Sequence, residues 1–178
     1  MSGQAFKDFL HNVRTAEKWD RLRAMLTPQD TVGIIIYGEP DPDSLASGWA
    51  LMHLLKPRVH SVRLIATKAV RREENARFLK LLRIPLEVVD EIPCAEFTKT
   101  AIVDAQPDFF QPCTNFPFDI VIDHHPKRAR YSFKFMDIRP RYGATATMML
   151  EYLLWSGVRI TKQLATALLF GIRIDTDN

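Results

Sequence analysis

Four stretches of this chain end an apolar run in groups that could hold a cation. GIIIYGEPDPD (33–43) closes with Asp41 and Asp43, and TAIVDA (100–105) with Asp104. DIVIDHH (119–125) closes with Asp123, His124 and His125, and GIRIDTD (171–177) with Asp175 and Asp177. Two carboxylates ~4 Å apart repel by roughly 4 kcal/mol at an effective dielectric of 20. Carboxylates that converge therefore need a counter-charge, and a divalent cation supplies one. Oxygen ligands with an imidazole suit Mn²⁺, and also Mg²⁺, Co²⁺ or Zn²⁺. Two such ions ~3.5–4 Å apart can clamp a phosphate. Asp41, Asp43, Asp104, His124 and Asp175 are thus candidate metal ligands. Singly, each also fits a bland role: Asp41-Pro42-Asp43 is turn chemistry, Asp104 a helix cap or loop residue, and a lone histidine a hydrogen-bonded structural side chain. The conjunction at four strand ends points to metal chemistry.

Convergence requires elements that bring distant strand ends to one edge. Val32–Tyr37 is a continuous β-rich run, as in a strand buried on both faces. Further short strands are expected at Val62–Ala66, Leu86–Val89, Thr100–Val103, Ile120–Ile122 and Phe133–Ile138, with a last one starting at Gly171–Ile174. Helical spacing marks residues 5–26, ended by Thr27-Pro28, and Ser44–Leu55 with Ser44 as N-cap. Glu73–Leu82, Gly143–Ser156 and Thr161–Leu169 are read as helices too, and 105–118 as an irregular connection. Alternating strands and helices predict an α/β fold, an open, mostly parallel twisted sheet flanked by helices. In such sheets ligands bind outside the carboxyl ends of the strands.

The chain has 178 residues, 47% of them hydrophobic, which fits a single domain with a sizeable core. Its net charge of +3 allows an anionic substrate but gives no DNA-coating surface. Cys94 and Cys113 lack metal-finger spacing and read as free thiols. There is no apolar run of membrane-span length and no signal-peptide core, so the expectation is a cytoplasmic protein without a membrane partner.

DHHP at 123–126, preceded by IVI, resembles the signature of the DHH phosphoesterase family. PDPDSLAS (40–47), VDA (103–105) and GIRIDTD (171–177) resemble its first, second and fourth motifs, in the same order. GATATMMLEYL (143–153) is similar to a segment of the nanoRNase and exopolyphosphatase-like branch. The resemblance implies a Rossmann-like catalytic domain that hydrolyses phosphoester bonds with one or two Mn²⁺ ions, or Mg²⁺ or Co²⁺. It implies a substrate among short oligonucleotides, phosphoadenosine phosphate and cyclic dinucleotides, with a homodimer left open. Position by position, Asp43, Asp104, His124 and Asp175 resemble the ligands of one metal. Asp41 and Asp104 resemble ligands of the other, Asp104 bridging. His125 resembles the histidine that contacts phosphate or assists the leaving group, and Asp123 a residue that orients a histidine.

Two features depart from that pattern. Tyr37 stands where the first motif has a metal-ligating histidine, and a phenol with a pKa of about 10 is a poor neutral ligand. Glu39 is a nearby substitute, and a catalytically impaired metal- or nucleotide-binding module is the rival expectation. The chain also stops at Asn178, where relatives continue into a DHH-associated domain, so 1–178 is read as the catalytic domain alone.

Two weaker signals lie beside the motifs. Lys127, Arg128, Arg130, Lys134, Arg139 and Arg141 form a basic stretch that fits phosphate attraction or a solvated surface equally. Arg139, Gly143 and Thr145 are candidate phosphate contacts, Gly143 and Thr145 because they open a helix with free N–H groups. Phe109, Phe110, Phe116 and Phe118 fit base stacking or, better, core covering.

Overall fold

The computed structural model describes residues 13–109, 117–127 and 133–177. Its elements run α1 (Val13–Ala24), β1 (Thr31–Ile36), α2 (Pro42–Leu55), β2 (Ser61–Ala66), α3 (Glu73–Leu82) and β3 (Leu86–Val88). They continue with β4 (Lys99–Val103), β5 (Ile120–Asp123), β6 (Phe135–Ile138), α4 (Thr145–Ser156) and α5 (Lys162–Asp175). Short 3₁₀ turns sit at Cys94–Glu96 and Pro107–Phe109.

All strands pair in parallel in one six-stranded sheet of order β3-β2-β1-β4-β5-β6. The direction of winding reverses between β1 and β4, which is where an open α/β sheet leaves a crevice for ligands. The reversal also explains how the two faces are covered. Right-handed crossovers place connections on one face while the order runs outward from β1 through β2 to β3, and on the other face from β4 to β6. Buried side chains of all five helices join one large core, with Ile34 and Ile36 of β1 facing it. Ile35 faces the other way, into a smaller cluster with Ile65, Ile102, Val121, Ala105 and Phe118. Ala105, Phe118 and Phe133 come from the connections that follow β4 and β5, so Phe118 covers core.

Two expected elements need correction, and part of a third lies outside the described residues. The first helix is described only from Val13 to Ala24, and its expected part at 5–12 lies outside the described residues. Asp41, not Ser44, caps α2: its carboxylate accepts from Ser44 N at 2.9 Å while Ser44 Oγ accepts from Asp41 N at 3.0 Å. Asp41 adopts an extended backbone, and Pro42 at the first helical position needs no donor there. The strand expected at Gly171–Ile174 is the last turn of α5. The four β-rich residues fit a strand in isolation. Leu164, Ala167, Leu168 and Gly171 are buried at helical spacing, however, and this longer period decides the outcome.

Candidate metal centre

β1, β4 and β5 deliver their carboxyl ends to the crevice, and α5 closes it from the side. After β1 the chain turns at Gly38 (φ 91°) and enters α2, whose first turn carries Asp43. Asp43 is fully buried and holds the start of α4: Thr145 N and Ala146 N each donate to its carboxylate at 2.7 Å. Asp104 directly follows β4 with φ 57°, a strained left-handed conformation for a non-glycine residue. Its Oδ1 accepts from the Thr145 hydroxyl at 2.9 Å. Gly171 lets α5 cross α2 closely, since a Cβ there would lie 3.0 Å from Pro42 O and 3.2 Å from Asp43 Cα. That crossing brings Asp175, one turn further on, into the cluster.

His124 occupies the middle. Its Nδ1 lies 3.1 Å from the Tyr142 carbonyl, which can only accept, so Nδ1 carries a proton and, in the neutral ring, Nε2 is the nitrogen with the lone pair. That Nε2 is buried and has no hydrogen-bond partner among the described residues. It lies 3.5 Å from an Asp175 oxygen, 3.6 Å from Asp104 and 4.0 Å from Asp43. These gaps are too long for hydrogen bonds. They suit ligands of one shared cation, because metal–ligand bonds of ~2.0–2.2 Å set neighbouring ligand atoms roughly 3–4 Å apart. The ligand atoms of Asp43, His124 and Asp175 lie within 4.8 Å of one another, and so do those of Asp104, His124 and His125.

The electrostatics agree with a missing positive charge. Burial, then the charges of Asp43 and Asp41, pushes the Asp104 carboxyl well above the usual range. Burial raises Asp43 too, against the pull of its two backbone hydrogen bonds. Asp175 is pushed up to about 6 by burial and by the charges of Asp43 and Asp41.

Beside this cluster, His125 Nδ1 lies 2.8 Å from Asp123 Oδ1, and that bond raises the imidazole above its ordinary range. Asp123 is fully buried, and its other oxygen accepts from Gln106 Nε2 at 2.6 Å. Gln106 and the Tyr142 carbonyl escaped sequence reasoning. Neither carries a spacing signal, and the carbonyl belongs to no side chain.

The sequence from residue 33 to residue 172 matches the model of the DHH family, N-terminal domain. The chain belongs to the DHH family. An uncharacterized protein of Methanocaldococcus jannaschii is 33% identical over 144 residues, covering 81% of this chain and 30% of that protein. The bifunctional oligoribonuclease and PAP phosphatase NrnA of Thermus thermophilus is 27% identical over 167 residues, covering 90% of this chain and 49% of that protein. The chain therefore spans about a third to about half the length of these curated relatives.

In this DHH domain the remaining candidates are placed as follows. Asp41 lies close enough for its charge to raise Asp104 and Asp175, while one of its oxygens caps α2. Tyr37 packs against the smaller apolar cluster, and Glu39 is exposed and is not among the gathered carboxylate and imidazole atoms. Thr145 spends its N–H on Asp43 and its hydroxyl on Asp104. Gly143 is exposed at the rim, and Thr176 occupies the space its side chain would need. The Arg139 guanidinium is engaged by Asp137 and Glu151. Arg128, Arg130, Phe110 and Phe116 lie outside the described residues, as does the side chain of Phe109. Among the described residues no helix is long and apolar enough to cross a membrane.

Proposed function

We propose that this DHH domain is the catalytic core of a metal-dependent phosphoesterase that hydrolyses phosphoester bonds in short oligonucleotides or nucleotides. The observation that carries the reading is the buried, unpartnered Nε2 of His124, facing three carboxylates at 3.5–4.0 Å. Asp43, Asp104, His124 and Asp175 would hold the cation, and this donor set suits Mn²⁺. When bound, such an ion supplies positive charge against phosphoryl oxygens and acidifies water.

The chain's own groups account for the rest. The αL backbone of Asp104 aims its carboxylate into the crevice, and Thr145 holds one oxygen in place. His125, oriented by Asp123 and kept protonated to higher pH, can give its proton to the leaving oxygen. Exposed cations line the same sheet edge: Lys68, Arg71 and Arg72 after β2, Lys127 after β5 and Arg141 after β6. They favour a substrate with more than one phosphate, as the name of the Thermus relative also suggests.

The experiment is hydrolysis of bis(p-nitrophenyl) phosphate, pApA and 3′-phosphoadenosine phosphate by the full chain with and without Mn²⁺, beside Asp104→Asn. Turnover that needs both Mn²⁺ and Asp104 is expected. Protein that binds Mn²⁺ yet turns over none of the three counts against an enzyme. One observation favours the rival, a binding module with impaired turnover: Tyr37, a poor ligand as a neutral phenol, packs against the smaller apolar cluster. Under that rival Tyr37→His creates or greatly raises activity; under the enzymatic reading wild-type activity is already strong and the change adds little.

A further inference from the structure

We infer that Tyr142, Glu151 and Arg139 are positioning residues for the metal centre, because together they hold the carbonyl that fixes the tautomer and direction of His124. The inference rests on the metal-binding reading of that site.

Glu151, on α4, is 2% exposed, a costly place for a carboxylate unless it is fully paired. It accepts from the Tyr142 hydroxyl at 2.7 Å, from Arg139 Nη1 at 2.6 Å and from the Thr15 hydroxyl of α1 at 2.5 Å. Arg139 also clasps Asp137 through Nε and Nη2, at 2.7–3.0 Å. The backbone carries this clamp to the site. Arg139 N donates to the carbonyl of Asp123, the residue before His124, at 2.9 Å. Tyr142 N donates to Arg139 O at 3.0 Å, closing a tight turn, and the Tyr142 carbonyl then accepts from His124 Nδ1 at 3.1 Å. The path is a closed ring: His124, the Tyr142 carbonyl, the Tyr142 hydroxyl, Glu151, Arg139, the Asp123 carbonyl and back to His124. The ring pins the turn at both its backbone and its side chains. A pinned carbonyl keeps the proton on Nδ1, so Nε2 presents its lone pair to the cation. A loose turn would let the two tautomers mix.

The test compares two hydroxyl deletions in the full chain. Tyr142→Phe cuts the ring but leaves the carbonyl. Tyr152→Phe removes a hydroxyl bonded to Asp137 at 2.7 Å, a branch that joins the network at Arg139 but lies outside the ring and leaves every link of it in place. Mn²⁺ affinity, read by electron paramagnetic resonance titration, is expected to fall about tenfold in Tyr142→Phe, the lower end of the loss seen when partners of ligating histidines are removed. Tyr152→Phe is expected to stay close to wild type. In metal-free protein, ¹⁵N spectra should show His124, identified by the signal lost in His124→Gln, as the Nδ1–H tautomer in wild type and as a mixture in Tyr142→Phe. An unchanged tautomer in Tyr142→Phe, or equal losses of affinity in both variants, overturns the inference. If Tyr142→Phe does not fold, Glu151→Gln weakens the two ring links that Tyr142 and Arg139 make to this side chain, and an unchanged His124 tautomer there overturns it equally. Wild-type protein that takes up no Mn²⁺ defeats the functional reading, while the tautomer comparison still decides the positioning role.

Discussion

Two adjacent histidines in this chain do different chemistry because of one hydrogen bond each. His124 gives its Nδ1 proton to a neutral carbonyl, which leaves a lone pair facing carboxylates. His125 faces a carboxylate, Asp123, which favours its charged form. Under the proposed function the first would be a ligand and the second a proton donor. His125→Gln should therefore lower kcat by roughly 10²–10⁴-fold while Mn²⁺ affinity changes much less. The sign of the pH dependence follows from the raised imidazole. The active form is protonated, so wild-type kcat should fall as pH rises through the raised value, and the variant should lose that limb. A pH–rate profile checks both statements, and a variant that keeps the limb would assign it to another group. The gathering of Asp43, Asp104 and His124 was legible in the sequence because each follows an apolar strand and strand ends converge, whereas Asp175 arrives on α5 and not on the strand expected there. Arg139 looked like a phosphate contact because no spacing signal marks its pairing with Asp137, two residues before it, or with Glu151, 12 residues after it.

At the scale of elements, the site is a meeting of helix ends and strand ends, and α5 is the element with the least freedom. It carries Asp175 past α2 with Gly171 at the crossing. A methyl group there would meet Pro42 O at 3.0 Å and Ala46 Cβ at 3.3 Å, and the first of these is main chain. Gly171→Ala gains about 1 kcal/mol in helix propensity. It loses roughly 1–3 kcal/mol to overpacking. A net destabilisation of up to about 2 kcal/mol is expected, with weaker Mn²⁺ binding as α5 moves Asp175 outward. Urea unfolding and metal titration of the same variant check this, and unchanged metal affinity would show that Asp175 does not depend on the crossing. The same helix shows why element type was only partly legible. Gly171–Ile174 alone has the composition of a strand, and only the buried period running from Leu164 identifies it as helix. The parallel sheet was easier to read, since β1 is apolar at every position from Val32 to Ile36 apart from Gly33.

Across the whole molecule, the two edges of the sheet treat carboxylates in opposite ways. Asp30 precedes β1 at the amino edge and is met by Lys99 Nζ at 2.7 Å, the Thr98 hydroxyl at 2.8 Å and Thr27 N at 2.6 Å. Burial pushes its carboxyl up, but these bonds outweigh burial and bring it down to about 2. Asp104, at the other end of the strand that begins with Lys99, finds carboxylates instead and is pushed up. The amino edge is neutralised from within the chain, whereas under the proposed function the carboxyl edge would be neutralised by a cation. Because the folded-state value of Asp30 lies below the ordinary 3.8, its contribution is complete above pH 3.8 and is lost as pH falls toward 2. Asp30→Asn should cost roughly 1.5–3 kcal/mol at neutral pH and should flatten that acid limb. Mn²⁺ at a hundredfold excess over its Kd should add about 2.7 kcal/mol. The edges are a strand apart, roughly 17–20 Å, so the two effects should add to within about 0.5 kcal/mol. Urea midpoints for wild type and Asp30→Asn, each with and without Mn²⁺, form the cycle that measures this. A larger coupling would mean that β1 and β4 transmit the charge state of one edge to the other, and the two edges could no longer be treated as independent.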